Sequence, residues 1–210
     1  RAYKLHLSKL ATEVQARCNS ASIDRLQRIY DEIYVDEVQD LTGCDLDILE
    51  ALLKSTSKIA MVGDVRQSVY DTNPRDQRHK QYRGLNMVTW FTKQASAGRL
   101  TITYSCDTWR SNQTIASFSD TVLDSAYGFS PTRSLQLGST DHDGVFVIGS
   151  EDVAAYVETY SPLCLRQARS VAAAVDLPFR NFGEVKGVTY DRVLIYPTGP
   201  ITRFLRQGTA

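Results

Sequence analysis

Two short apolar runs with a helical stretch between them do most to limit what this chain can fold into. Residues 32–36 read Glu-Ile-Tyr-Val-Asp and residues 58–63 read Lys-Ile-Ala-Met-Val-Gly. Between them Leu46, Leu49, Leu52 and Leu53 recur at helical spacing, with Thr42 placed to cap that helix. A strand, a helix and a strand in this order imply a crossover connection and parallel pairing. The runs are too continuous to leave one face wet, so helices are expected on both sides of the sheet, and the chain falls in the α/β class. Open sheets of this kind place ligands at the carboxyl ends of their strands. The residues just beyond the two runs are therefore the first candidates for chemistry.

The rest of the chain continues the same rhythm. Leu5, Leu7, Leu10 and Val14 predict a helix over residues 3–17, and a shorter helix is expected over 22–29, both packing against the elements downstream of them. Residues 71–99 are more polar, with a helix over 86–94. Next come a strand over 100–104 and a helix over 111–123, the latter with Ile115, Phe118 and Val122 on one face. Gly, Ser, Thr and Asp dominate residues 127–143, which read as a surface crossing. Strands over 145–148, 162–166 and 192–196 then alternate with helices over 152–159 and 167–174. A boundary near residues 104–110 divides the chain into two α/β units, 1–104 and 105–210.

A length of 210 residues accommodates one large domain or two small ones. Lys plus Arg and Asp plus Glu each number 24, so the net charge is zero and any surface for nucleic acid must be local. The clearest basic stretch holds Arg75, Arg78, His79, Lys80 and Arg83 around Tyr82. It reads either as a site that meets phosphates and stacks a base or as a solvated loop. Cys18, Cys44, Cys106 and Cys164 lack zinc-ligand spacing and form no disulfide framework, which suggests reduced thiols. No apolar run approaches the roughly 20 residues of a membrane span. A cytoplasmic, soluble protein is the expectation.

The first run delivers Asp36 and Glu37 at its carboxyl end, with Val38, Gln39 and Asp40 after them. One carboxylate can hold a magnesium ion through its water shell, and its neighbour can orient or deprotonate an attacking water. Asp36 is assigned to the metal and Glu37 to the water, against the plainer reading of two acids at a solvated rim. The second run ends in Gly63, Asp64, Val65, Arg66 and Gln67, which brings a second polar cluster to the same edge. There the Gln67 amide can sense a terminal phosphate.

The strings DEVQD at 36–40 and GDVRQSVY at 63–70 resemble helicase motifs II and III of the UvrD/Rep superfamily-one DNA helicases. Residues 104–112, with Trp109 and Arg110, resemble motif IV, in which an arginine from a second lobe reaches ATP. Residues 181–193, with Lys186 and Gly187, resemble motif V and its turn before a strand. The resemblance spans roughly residues 30–200 and implies two partial RecA-like lobes of the P-loop NTPase type. It also implies ATP and Mg2+ as cofactors, single-stranded DNA as partner, and Arg110, Lys186 and Gly187 near the nucleotide. An arginine of this kind is worth about 10³- to 10⁵-fold in rate. Thr189 stands where many members have Glu, and residues 71–74 depart from the usual Trp-Arg-Gly. Tyr70 accordingly either stacks a base or packs under the basic loop.

A phosphate-cradling loop needs glycines ending in Gly-Lys-Ser/Thr, yet no glycine precedes Gly43. The arginine-bearing motif VI is also not present. These gaps suggest an internal piece, a proteolytic product or a degenerate relative, inactive as an ATPase by itself. Two further readings stand beside the helicase. One is a non-catalytic module binding nucleic acid or a protein partner; the other is a magnesium-dependent nuclease or phosphatase built on Asp36, Glu37 and Asp64.

Overall fold

The computed structural model describes residues 4–68, 72, 74–123, 127–138 and 140–207. They form two compact units, residues 1–104 and 105–210. The first contains α1 (Lys4–Arg17), α2 (Ala21–Ile29), β1 (Glu32–Val35), α3 (Cys44–Leu53), β2 (Lys58–Met61) and α4 (Met87–Ser96). β1 and β2 pair in parallel, aligning Glu32 with Lys58 and Val35 with Met61, as a strand-helix-strand crossover requires. Helices alternating with small parallel sheets are consistent with the α/β class.

One face of this sheet carries the core. Val38, Leu46, Leu49, Met87 and Trp90 form a buried cluster, with Val35, Met61 and Val65 packed against it. Leu46, Leu49 and Leu52 lie on one stripe of α3, and Met87 and Trp90 on one stripe of α4, each at helical spacing. The other face is more open than the apolar runs suggested. Both strands alternate exposed and half-buried residues, and Tyr34 is 73% exposed. Tyr34 donates to Glu32 (2.6 Å), which also pairs with Lys58 (3.0 Å). That polar group stands where a second covering layer of helices was expected.

Thr42 does not cap α3. Gly43 takes the cap position at φ +60°, and the Asp76 carboxylate accepts from the Cys44 amide (3.1 Å) from thirty-two residues away. A Cβ at Gly43 would run into that carboxylate, so both backbone freedom and space require glycine here. Thr42 is instead buried beside Thr72, whose hydroxyl accepts from the Thr42 amide (3.1 Å). The helix expected over 3–17 forms as α1, Tyr3 lying outside the described residues, but its Leu7, Leu10 and Val14 remain exposed.

The second unit holds β3 (Asp107–Thr108), α5 (Gln113–Asp120), β4 (Arg133–Ser134), α6 (Val153–Tyr160), β5 (Leu163–Arg166), β6 (Arg180–Asn181), β7 (Val193–Ile195) and α7 (Gly199–Gln207). β3 pairs with β4, and β5 lies between β6 and β7, all in parallel. Asn112 caps α5 by accepting from the Ile115 amide (3.0 Å). α5 is shorter than the helix expected over 111–123: its buried residue is Ala116, Ile115 is exposed, and Val122 lies exposed in the turn beyond it.

Three expected elements do not form. Residues 100–104, which alternate in sequence, and the apolar run 145–148 enter no ladder, and Val147 is 79% exposed. Without a neighbour to take its amides, an apolar run has no reason to become a strand. Residues 167–174 form turns with Ala172 at φ +59°, a conformation that ends a helix. Conversely α7 was not expected, although Pro200 in its first turn suits a helix start. Its Phe204 meets Phe118 of α5 edge to face, ring centres 6.1 Å apart.

The core of the first unit sets its stability. Leu46→Ala should cost about 2–5 kcal/mol, whereas Leu10→Ala on the exposed face of α1 should stay within about 0.5 kcal/mol. Urea denaturation monitored through the buried Trp90 checks both values.

Candidate functional site

Parallel pairing continues one residue beyond each strand and then changes character. The Val62 amide donates to the Val35 carbonyl (2.9 Å), and the Val62 carbonyl accepts from the Val38 amide (3.1 Å). One residue of the second strand thus clasps the first on both sides of Asp36 and Glu37, leaving those two residues to bulge outward. Glu37 absorbs the bend at φ 50°, ψ 39°, a left-handed conformation costing a non-glycine residue roughly 1–2 kcal/mol. Its amide donates to the Asp36 carboxylate (2.8 Å). Asp36 is exposed and Glu37 half-buried.

A short 3-10 turn, Val38–Asp40, comes next and anchors the bulge from below. Val38 enters the core cluster, and Gln39 is 2% exposed. The Gln39 amide nitrogen donates to the Glu37 carboxylate, and its amide oxygen accepts from the Asp64 backbone (3.2 Å). A Cβ on Gly63 would collide with that same amide oxygen, so the close approach of the two loops depends on glycine there.

The second loop is organised by Asp64. Its carboxylate accepts from the Arg66 backbone amide (3.0 Å) and from the Arg66 guanidinium at 3.0 and 3.2 Å, capping the 3-10 turn Val65–Gln67. Gln67 donates to the same carboxylate (3.0 Å) while its side chain stays exposed. Burial pushes the Asp64 carboxyl up, but donation by Arg66 and Gln67 outweighs it and holds the group below its ordinary value. Further along, the Ser68 hydroxyl donates to the Gln39 carbonyl (3.2 Å) and the Thr72 amide to the Asp40 carbonyl (2.9 Å).

The structure therefore brings Asp36, Glu37, Asp64 and Gln67 to one sheet edge. Tyr70 lies outside the described residues. In the basic stretch, Arg75 and Lys80 are exposed. Arg78 pairs with Asp47 (2.7 Å), as does His79 (2.8 Å), and Arg83 donates to the Asp76 carbonyl. Arg78 and His79 thus tie this loop to α3 and Arg83 braces the loop on itself, with Arg75 and Lys80 exposed.

In the second unit Arg110 is exposed two residues before Asn112, its amide donating to the Thr108 hydroxyl (3.2 Å). Lys186 and Gly187 occupy a turn in which Gly187 has φ +80° and open space around its α-carbon. The tight turn expected there is present, and β7 comes after it. Gln39 and Arg66 were not singled out from the sequence. The string 36–40 draws attention to its carboxylates, and the clue to the amide between them was a glycine, Gly63, opposite it on the next strand.

Among the described residues, no three His, Cys, Asp or Glu side chains gather as a metal-holding group. A self-contained carboxylate cluster of Asp36, Glu37 and Asp64 is therefore not formed. A magnesium ion held by one carboxylate together with substrate phosphates and water needs less from the protein, and the outward Asp36 fits that part. No helix among the described residues is long and apolar enough to cross a membrane.

Residues 4–73 match the UvrD/REP helicase N-terminal domain family. The match ends within the second loop of the site and supports a UvrD-like helicase relationship for that part of the chain. No curated protein matches the chain.

Because the native Asp64 carboxyl lies below its ordinary value, its contribution to stability is complete above that value and is lost as pH falls through the lowered one. Urea melts of a Trp109→Phe background, reporting through Trp90 alone, should weaken between about pH 5 and pH 2. Asp64→Asn should flatten that acid limb, and an unchanged slope would remove Asp64 from the account.

Proposed function

We propose that this chain carries part of the motor site of an ATP-dependent DNA helicase or translocase of the UvrD type. The observation that carries this reading is the joint presentation of Asp36, Glu37 and Gln67 at one edge of a parallel strand pair, inside the segment that matches the family. The second reading, a non-catalytic module, shares the family match but gives those three side chains no work.

Asp36 would hold magnesium through its water shell, and the metal would supply charge neutralisation at the phosphates. Glu37 would orient the attacking water and take its proton, the step for which a carboxylate beside the metal carboxylate is suited. Gln67 would exchange Asp64 for a phosphate oxygen, its side chain being exposed. Arg110 of the second unit would bring a guanidinium to the transferring phosphoryl group, and the Gly187 turn, with Lys186, would offer a further phosphate contact. Arg75 and Lys80 would meet the backbone of single-stranded DNA. No Gly-Lys-Ser/Thr string that could end a triphosphate-cradling loop occurs among these 210 residues.

The test is phosphate release from ATP with magnesium, with and without oligothymidylate, by the protein that carries this sequence. Stimulation by DNA is expected. Glu37→Gln should lower kcat about 10²- to 10⁴-fold, and Arg110→Ala about 10³- to 10⁵-fold. Single-stranded DNA binding with no hydrolysis would favour the module. Cleavage of DNA with magnesium and no ATP would instead favour a nuclease.

A further inference from the structure

The buried Gln39 side chain touches both loops of the site. It is 2% exposed, donates to the Glu37 carboxylate and accepts from the Asp64 backbone (3.2 Å). Asp64 in turn accepts from Gln67 (3.0 Å). A continuous path of hydrogen bonds therefore runs from Gln67 through Asp64 and Gln39 to Glu37. Its middle member is buried, where an amide has few alternative partners and hydrogen bonds are stronger than in water. The path is also held from outside, since Gly63 leaves the space the Gln39 amide oxygen occupies.

We propose that Gln39 is a positioning residue that couples the phosphate-sensing arm, Asp64 and Gln67, to the water-orienting carboxylate of Glu37. This role rests on the ATPase reading of the site. When Gln67 leaves Asp64 for a phosphate oxygen, the Asp64 loop loses one of its restraints, and the bond from the Asp64 amide to Gln39 transmits any shift of that loop. The opposite end of the same amide group holds a Glu37 oxygen, so the carboxylate turns with it. Glu37 is thereby aligned only when the sensing arm is engaged. The role is one of alignment, because Gln39 is buried beneath the edge and does not itself face the nucleotide.

The experiment compares Gln39→Met, which keeps shape without hydrogen bonds, with Gln39→Glu, which keeps the acceptor and removes the donor at neutral pH. Gly63→Ala displaces the Gln39 amide oxygen from the other side and serves if either position 39 variant fails to fold. With ATP, magnesium and oligothymidylate, kcat should fall on the order of 10- to 100-fold, the cost of moving a catalytic group by about 1 Å, while the KM for ATP and the DNA affinity stay near those of the parent. The loss of kcat caused by Gln67→Ala should be smaller on the Gln39→Met background than in the parent, because part of it travels by the same path.

An unaltered kcat, additive losses in the double variant, or a joint disturbance of kcat, KM and melting temperature would mark Gln39 as merely structural and overturn the proposal. If the unmodified protein and Glu37→Gln release phosphate equally, the ATPase reading fails first and the coupling falls with it. If hydrolysis requires Glu37 but is indifferent to Gln39, only the coupling fails.

Discussion

Everything at the carboxyl edge of the first sheet depends on two backbone hydrogen bonds made by Val62, one to Val35 and one from Val38. Regular parallel pairing would carry the first strand straight on and send alternate side chains to opposite faces. By binding residues 35 and 38 with a single residue, the second strand forces residues 36 and 37 out of the ladder. The two acids are thereby turned away from the sheet, while Val38 returns to the core beneath them. Apolar burial of Val38 and Val65 then fixes the height of both loops against Leu46, Leu49 and Trp90.

Much of this was legible from the residues. Continuous apolar runs about a leucine-spaced helix implied parallel strands, and the acidic residues beyond them do come to the carboxyl edge of that pair. Helices near 87–96, 113–120 and 153–160 were readable from periodicity for the same reason, since one apolar stripe per helix is a local signal. What could not be read was pairing. Residues 100–104 and 145–148 have the composition of strands, but a strand exists only through its neighbour, and composition carries no record of which neighbour is present. The open face around Tyr34 was missed because Ile33, Tyr34 and Val35 look uniformly apolar, although Tyr34 carries a hydroxyl that reaches Glu32.

The site shows the same division. Asp36, Glu37 and Gln67 were visible as chemistry, whereas Gln39 was visible only once the space across from it was known. Asp76 capping α3 from a distant loop is a further case. A helix start read from neighbours pointed to Thr42, while the actual acceptor came from thirty-two residues downstream. The two units also differ in how much they bury. The first encloses Trp90, Met87, Leu46 and Leu49, whereas in the second the buried apolar residues among those described are Ala116, Pro162, Cys164 and Leu165. An exposed bidentate pair of Arg133 with Asp107, at 2.7 and 2.8 Å, also joins β3 to β4 there.

The left-handed backbone at Glu37 sets evolution two opposed demands at one position. Asparagine or glycine would occupy that bend more comfortably, so drift toward either would be favoured in any lineage that had ceased to need a carboxylate there. Glutamate in such a bend therefore stands against the preference of its own backbone. Among relatives of this chain, the identity of that single residue would tell whether the comfort of the bend or the carboxylate has been kept.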